Sequence, residues 1–123
     1  CIASTHEGWF GREQDKRHIW NWTRQRGTVR LETWPQTPTT VQLEFRLRSL
    51  NSRIVIIRQE GREIWRATIG AAFSEHRVPI SIAQGRTDIE FSTDTPAVRE
   101  NDTPGARELA FGLFDPRLTV PKP

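Results

Sequence analysis

Three histidines and a cysteine are the residues of this chain best suited to chemistry. His6, His18 and His76 lie far apart in the sequence, so no two of them could share a helix face four residues apart. Cys1 has no second thiol with which to form a disulfide or a zinc site. No His-Glu-x-x-His motif, Gly-x-Ser-x-Gly elbow or phosphate-binding glycine loop is present. The sequence therefore predicts a protein that is not an enzyme and uses no cofactor.

The acidic residues are the remaining candidates for catalysis or metal binding. A pair of carboxylates can hydrolyse a glycosidic bond, but here most carboxylates stand beside arginines at outward strand positions or in turns, which favours solvated ion pairs. Four aspartates could supply oxygen ligands to a calcium ion: Asp88, Asp94, Asp102 and Asp115. Because no calcium-loop spacing connects them, we predict no metal site.

Arginine supplies almost all of the positive charge, with 16 arginines against the two lysines Lys16 and Lys122 and a formal net charge of +3. Arginine holds carboxylates and phosphates well, although the codon usage of a high-GC genome produces the same bias. Charges of opposite sign alternate along the chain, and no basic cluster is interleaved with aromatic residues. We therefore predict no nucleic-acid partner.

The five tryptophans are an unusual number for 123 residues. An exposed indole can stack on the apolar face of a sugar ring while neighbouring polar side chains bind its hydroxyls. Trp20, Trp22 and Trp65 stand within strand patterns, which favours a place in the core. Trp9, in an irregular segment, and Trp34, at a strand end, are the better candidates for a ligand. We predict a binding site from these two with Arg46 and Arg48, both outward-facing in their strand pattern.

The elements that must position these residues are β-strands. From 40 to 50, apolar residues alternate with Gln42, Glu44, Arg46 and Arg48, the pattern of a half-buried strand in an antiparallel sheet. Similar short runs recur with turn signals at intervals typical of a sandwich, and residues 59–62 predict a hairpin turn. Long connections are expected over 35–40 and 95–107. The prediction is an all-β, antiparallel two-sheet sandwich of about eight strands, jelly-roll-like.

The N-terminus gives a further expectation about cellular setting. The chain contains no methionine and opens on Cys1 followed by a short polar stretch. This arrangement is typical of a bacterial lipoprotein after signal-peptide removal, with the lipid on Cys1; the alternative is a domain boundary that falls at a cysteine. We predict a tether over 1–7, the sandwich over 8–120 and a tail over 121–123. No apolar run is long enough to span a membrane.

Several segments together resemble a known class of domain. They are Gly8-Trp9-Phe10, Trp20-Asn21-Trp22-Thr23, the alternating run 41–47, Ile64-Trp65 after Gly61, and Phe91 to Pro96 leading to Arg107-Glu108-Leu109-Ala110-Phe111. Their order is similar to small jelly-roll, galactose-binding-like sandwiches appended to bacterial cell-envelope proteins, including membrane glycosyltransferases. Where that class has Asp-x-Arg, this chain has Gly105-Ala106-Arg107.

Two functions fit these observations. The first is a non-catalytic accessory subunit that docks onto a larger envelope or membrane complex and touches the membrane only through a lipid on Cys1. The alternative is a carbohydrate-binding module that recognises a surface glycan through exposed tryptophan and arginine side chains. Both place the protein outside the cytoplasm, in the periplasm or at the bacterial surface.

Overall fold

The computed structural model describes residues 1–34 and 37–120. Within these ranges the strands form two five-stranded antiparallel sheets and a two-stranded ribbon. The strands are β1 (Ile2–Thr5), β2 (Glu13–Gln14), β3 (Ile19–Thr23), β4 (Arg26–Glu32), β5 (Thr39–Ser49), β6 (Arg53–Gln59), β7 (Arg62–Ile69), β8 (Ser74–Ile82), β9 (Arg86–Ser92), β10 (Val98–Arg99), β11 (Glu108–Leu109) and β12 (Phe111–Thr119). Sheet A has the order β1-β4-β9-β6-β7, and sheet B has the order β2-β3-β12-β5-β8. The predicted two-sheet sandwich is confirmed.

Eight strands of the described ranges contain five or more residues, four in each sheet. These agree with the eight strands predicted from alternation, and the hairpin joining β6 to β7 turns through Glu60 and Gly61, both with positive φ. The sequence missed β1, β2 and β10, which have only two to four residues. Such short segments contain too few residues for a period of two to be recognised. The sequence also predicted one strand through Leu109, Phe111 and Leu113, which the structure divides between β11 and β12.

The core lies between the two sheets and is filled by their alternating apolar side chains. In β5 the buried Val41, Leu43, Phe45 and Leu47 point inward, while the residues between them are partly exposed. Facing side chains from β4, β6, β7 and β9 of sheet A, with those of β8 and β12 beside β5 in sheet B, complete one continuous cluster. The sandwich therefore leaves the outer face of each sheet free to carry polar or functional residues.

Within residues 1–7, predicted as a tether, Ile2–Thr5 form an edge strand of sheet A. Ile2–Thr5 pair antiparallel with residues 29–32 of β4, and the backbone N–H of His6 donates to the Thr28 carbonyl at 2.9 Å. The polar composition of the segment suits an edge strand with one wet face, which is why it resembled a linker. Cys1 is exposed directly before this strand.

The predicted tail over 121–123 lies outside the described residues, as do Pro35 and Gln36 of the predicted 35–40 connection.

Five aromatic residues meet between the sheets and are called here the inner aromatic group: Trp9, Phe45, Trp65, Phe91 and Phe111. Trp9 makes edge-to-face contacts with Phe91 and Phe111 at centroid distances of 6.1 and 6.0 Å. Its indole N–H donates to the Thr28 carbonyl at 2.9 Å. The ring lies against the backbone of Gly27, where any added Cβ would overlap the indole. Trp9 is therefore a structural residue that closes one end of the core.

The long 95–107 connection is fastened to the sandwich by Arg53. Its buried guanidinium donates to the carbonyls of Thr95 and Pro96 at 2.9 and 3.1 Å. A further bond to the Asn51 side chain measures 2.6 Å. Burial lowers the pKa of Arg53. The predicted loop is therefore anchored at its start, and it contains the short strand β10.

Candidate functional site

The inner and outer faces of strand β3 are exchanged relative to the sequence expectation. Asn21 and Thr23 stand opposite the core residues Leu113 and Phe111 of β12, so their side chains point inward. Trp20 and Trp22, predicted for the core, consequently point to the outer face of sheet B. The inward positions are polar because they hold irregular backbone: the Asn21 amide donates to the Phe10 carbonyl at 2.9 Å. The hydroxyl of Thr23 lies 2.7 Å from the Gly8 and Arg26 carbonyls.

The two outward tryptophans belong to a second cluster, called here the outer aromatic group: Trp20, Trp22, Phe73 and Phe114. Trp20 stacks on Phe114 with centroids 5.2 Å apart and planes 19° apart. Phe73 and Trp22 meet Phe114 edge-on at 4.8 and 6.3 Å. Trp22 is 8% exposed, whereas Trp20 is half-buried and Phe73 is 45% exposed. Trp20 and Phe73 therefore offer aromatic surface to a ligand, and Trp22 and Phe114 support them.

A glycine makes room for this group at the centre of sheet B. Gly112 lies directly between Trp22 of β3 and Arg48 of β5. A Cβ at this position would lie 2.8 Å from the Phe114 ring and 3.3 Å from the Trp22 ring. The absence of a side chain thus allows the aromatic rings to fold over β12.

A cleft of about 600 Å³ adjoins the outer aromatic group on the same face of sheet B. Apart from Phe45, the lining consists of charged and histidine residues from β5, β8, β12 and the segment before β3: Arg17, His18, Glu44, Arg46, Glu75, His76, Arg77, Asp115 and Arg117. Its volume lies in the range of ligand sites, but such sites are usually mostly apolar. A lining this polar suits a ligand rich in hydroxyl or charged groups.

The wall of the cleft on β12 is shaped by a β-bulge. The register between β12 and β5 shifts between Phe114 and Arg117, and Asp115 adopts a left-handed conformation with φ of 51°. Aspartate tolerates this region better than most residues. The Asp115 carboxylate accepts a hydrogen bond from the Ile19 backbone N–H at 2.8 Å and lies 2.6 Å from Nδ1 of His18. These contacts fix β12 to the segment that leads into β3.

The segment before β3 is itself held by Asp15. Its carboxylate accepts hydrogen bonds from the backbone N–H groups of Arg17 and His18 at 2.8 and 2.7 Å. These bonds stabilise the ionised form and lower the pKa of Asp15. The His18 ring also lies 5.4 Å from the Phe73 ring. His18 therefore connects the charged cleft to the outer aromatic group.

The structure brings two of the predicted binding residues to this face. Arg46 lines the cleft and forms an ion pair with Glu75, with its Nε 2.8 Å from Oε1. Arg48 lies beside the outer aromatic group, with its guanidinium 5.4 Å from the centroid of Phe73. The Nε atom of Arg48 is buried and makes no hydrogen bond within the described residues. A binding role for either arginine stays a prediction.

The two predicted tryptophans lie elsewhere. Trp9 has its N–H and ring occupied inside the domain, contrary to the expectation of an exposed indole. Trp34 is 59% exposed just beyond the end of β4. Because Trp9 packs on Gly27 near the start of β4, a rise of about 3.3 Å per residue puts the two side chains roughly 20 Å apart. Trp9 and Trp34 therefore do not form one site.

Sequence reasoning missed Trp20, Phe73, Phe114 and the charged residues of β8 and β12 as members of one face. The available signal was the pair Asn21 and Thr23, whose polar side chains share a strand with two tryptophans. In the described residues, no group of three potential metal ligands is found. Those residues also contain no helix that is long and apolar enough to cross a membrane.

Comparison with known proteins supports the fold. No protein-family model matches the chain, and no curated protein matches it by sequence. Among solved structures it is similar to a CBM4 carbohydrate-binding module, with a TM-score of 0.55, 7% identity, and 95% of this chain and 78% of that one covered. It is also similar to the CBM35 of Cellvibrio japonicus Abf62, with a TM-score of 0.50, 10% identity and coverage of 98% and 97%.

A third similar structure belongs to a larger protein, a family two carbohydrate esterase from Clostridium thermocellum in complex with cellohexaose. The TM-score is 0.50 at 14% identity, and the match covers 91% of this chain and 32% of the esterase. This chain thus spans about a third of that enzyme. At these identities the likeness establishes the sandwich fold alone.

Proposed function

We propose that this domain is a non-catalytic carbohydrate-binding module that holds a saccharide on the outer face of sheet B. The observation that carries the proposal is the juxtaposition of accessible aromatic surface, from Trp20 and Phe73, with a polar cleft of about 600 Å³. A sugar ring needs both kinds of surface, because its faces are partly apolar and its edge carries hydroxyls. The sandwich folds of the carbohydrate-binding modules described above support this function.

A role without catalysis fits how the titratable groups of the cleft are engaged. Glu75 is paired with Arg46, and Asp115 is bonded to His18 and to the backbone of Ile19. A general acid or base must be within reach of its substrate with a suitable protonation state. Carboxylates that are held in ion pairs and backbone hydrogen bonds are better placed to orient a ligand than to transfer protons.

Titration calorimetry against a panel of neutral and acidic oligosaccharides tests the proposal. Trp20→Ala removes the stacked indole and should weaken binding at least tenfold, which corresponds to about 1.4 kcal/mol. Trp34→Ala is the matched control, because it removes an exposed indole outside this face, and it should leave the affinity within about twofold. The reverse pattern would move the site to the end of the sandwich where β4 stops, and no binding to any saccharide would overturn the proposal.

The cellular setting is part of the proposal. We place the domain outside the cytoplasm, in the bacterial cell envelope, where a lipid on the exposed Cys1 would retain it beside its glycan or beside a larger envelope complex. The intact mass of the native protein from membranes tests the anchor, since a diacylglyceryl group would raise that mass.

The three solved structures described above are two binding modules and an esterase, so the expected setting on a glycosyltransferase has no support among them.

A further inference from the structure

Two arginines on the outer face of sheet B share one carboxylate. Arg117 of β12, Glu44 of β5 and Arg77 of β8 stand opposite one another in register. The Glu44 Oε1 atom lies 3.3 Å from Arg77 Nε and 3.5 Å from Arg117 Nη2. The Glu44 side chain is only 15% exposed, whereas those of Arg77 and Arg117 are 70% and 71% exposed. In this row of three side chains, Arg77, Glu44 and Arg117, the two guanidinium groups therefore face solvent and the carboxylate lies beneath them.

The other carboxylates of the cleft are used elsewhere. Glu75 pairs with Arg46, and Asp115 bonds His18 and the Ile19 N–H. The cleft lining contains four arginines and three carboxylates, so with neutral histidines it carries an excess of one positive charge, four minus three. Because Glu44 can neutralise only one of its two neighbours, the pair of Arg77 and Arg117 keeps one positive charge. Arg17, the fourth arginine, lines the same cleft.

The geometry of this row leaves guanidinium donors available. Charge-assisted N–H···O bonds are usually about 2.7–2.9 Å long, and both contacts with Glu44 are longer than that. A guanidinium presents five N–H groups in a planar fork that fits an oxyanion. An anionic group placed between Arg77 and Arg117 would therefore find two forks with free donors.

From these observations we infer that the ligand is an acidic saccharide, with a carboxylate or sulfate group held between Arg77 and Arg117. This inference rests on the proposed function. On β12, Arg117 lies three residues from Phe114, on which Trp20 stacks. Strand residues two apart are separated by about 7 Å, and the bulge inserts one more, so a single oligosaccharide can reach both the aromatic surface and the arginines.

The experiment compares three ligands on the full chain: a galacturonate oligomer, a sulfated galactan oligomer and neutral cellohexaose. The test variant is the double substitution Arg77→Gln and Arg117→Gln. Its matched control is Arg30→Gln and Arg66→Gln, which removes the same charge from two ion-paired arginines of sheet A, one partly exposed and one exposed. Loss of a charge-assisted contact should weaken the preferred acidic ligand at least tenfold. The affinity for cellohexaose should change by less than about twofold, and the control variant should retain acidic binding.

The salt dependence gives a second readout. Binding of the acidic ligand should weaken between 50 and 200 mM NaCl, because exposed charges are screened over about 10 Å at 0.1 M salt. The carboxylate and sulfate arms identify which oxyanion the arginines prefer. Equal affinity for neutral and acidic ligands, or equal losses in the two double variants, would overturn the inference while the proposed function stands. If no saccharide of either kind binds, both fail.

Discussion

The inner and outer aromatic groups use the same residue types on opposite sides of sheet B. In the inner group, Trp9 has its N–H bonded to Thr28 and its ring packed on Gly27. In the outer group, Trp20 has one stacking partner and remains half-buried, and Phe73 is 45% exposed. The difference shows that the role of an aromatic residue depends on its contacts rather than on its type. The inner group stabilises the domain, whereas the outer group exposes aromatic surface.

The largest expected effect is on stability, from removal of Trp9. Trp9→Ala should lower the free energy of unfolding by about 3–5 kcal/mol, because it leaves a cavity beside Phe91 and Phe111. Chemical denaturation measures this loss. Trp34→Ala, which removes an exposed indole, should change stability by less than about 0.5 kcal/mol. Equal effects of the two substitutions would remove the structural distinction between these tryptophans.

A smaller loss is expected from a methyl group added beneath Trp9. Gly27→Ala should destabilise the domain by about 1–3 kcal/mol, because the new Cβ overlaps the indole and forces the ring to move. Gly11→Ala is the control, since the space around that glycine is open, and it should be nearly neutral. If both variants are as stable as the original chain, Trp9 does not pack on Gly27 as described.

The outer group should show the opposite balance between stability and binding. Trp20→Ala should cost only about 1–2 kcal/mol of unfolding free energy, because the indole is already half exposed. The same variant should lose most of its saccharide affinity in the calorimetric test. A loss of stability as large as that of Trp9→Ala, with binding retained, would make the outer group a second structural core.

The smallest expected effect is a pH dependence on the inner side. His76 packs between Phe45 and Trp65, and burial lowers its pKa below the ordinary 6.5. The unfolded chain therefore binds a proton at His76 more readily than the folded chain does. The stabilising contribution of the neutral His76 ring is present above pH 6.5 and is lost as the pH falls through the folded pKa. Between pH 7 and 5 the loss should stay below about 1 kcal/mol, since His76 is only partly buried.

Unfolding measured across this pH range should show a shallower slope for His76→Gln than for the original chain. Trp34→Ala, which changes an exposed side chain that does not titrate, is the control and should keep the original slope. An unchanged slope in His76→Gln would mean that its burial has no consequence for stability.

Much of the fold could be predicted from local alternation, but little of the site could. The inward residues of β5 were predictable because Val41, Leu43, Phe45 and Leu47 are apolar and their neighbours are not. The same reasoning fails in β3, where Asn21 and Thr23 face inward to satisfy the backbone of the N-terminal segment. A period of two gives the two faces of a strand, but it does not say which face the core requires when one face is aromatic and the other is hydrogen-bonded.

The cleft could not be predicted because its residues come from distant parts of the chain. Arg117 and Arg77 meet Glu44 only through the pairing of β12 and β8 with β5. The sequence singled out Arg46 because its own strand was well defined, yet the neighbouring strands decide that Arg46 is paired with Glu75. Exposure of Trp34 was foreseeable from its place at a strand end, whereas the bulge at Asp115 depends on contacts with His18 and Ile19.

Strand β12 is the last strand of the residues that the structure describes, and it lies in the middle of sheet B between β3 and β5. During synthesis the halves of the candidate site therefore emerge long before the strand that unites them. Contacts between residues so far apart in sequence are typical of slowly folding β-proteins. Until β12 inserts, Trp20 has no Phe114 to stack on and Glu44 has only one of its arginines. The candidate site would thus be among the last features of the domain to form.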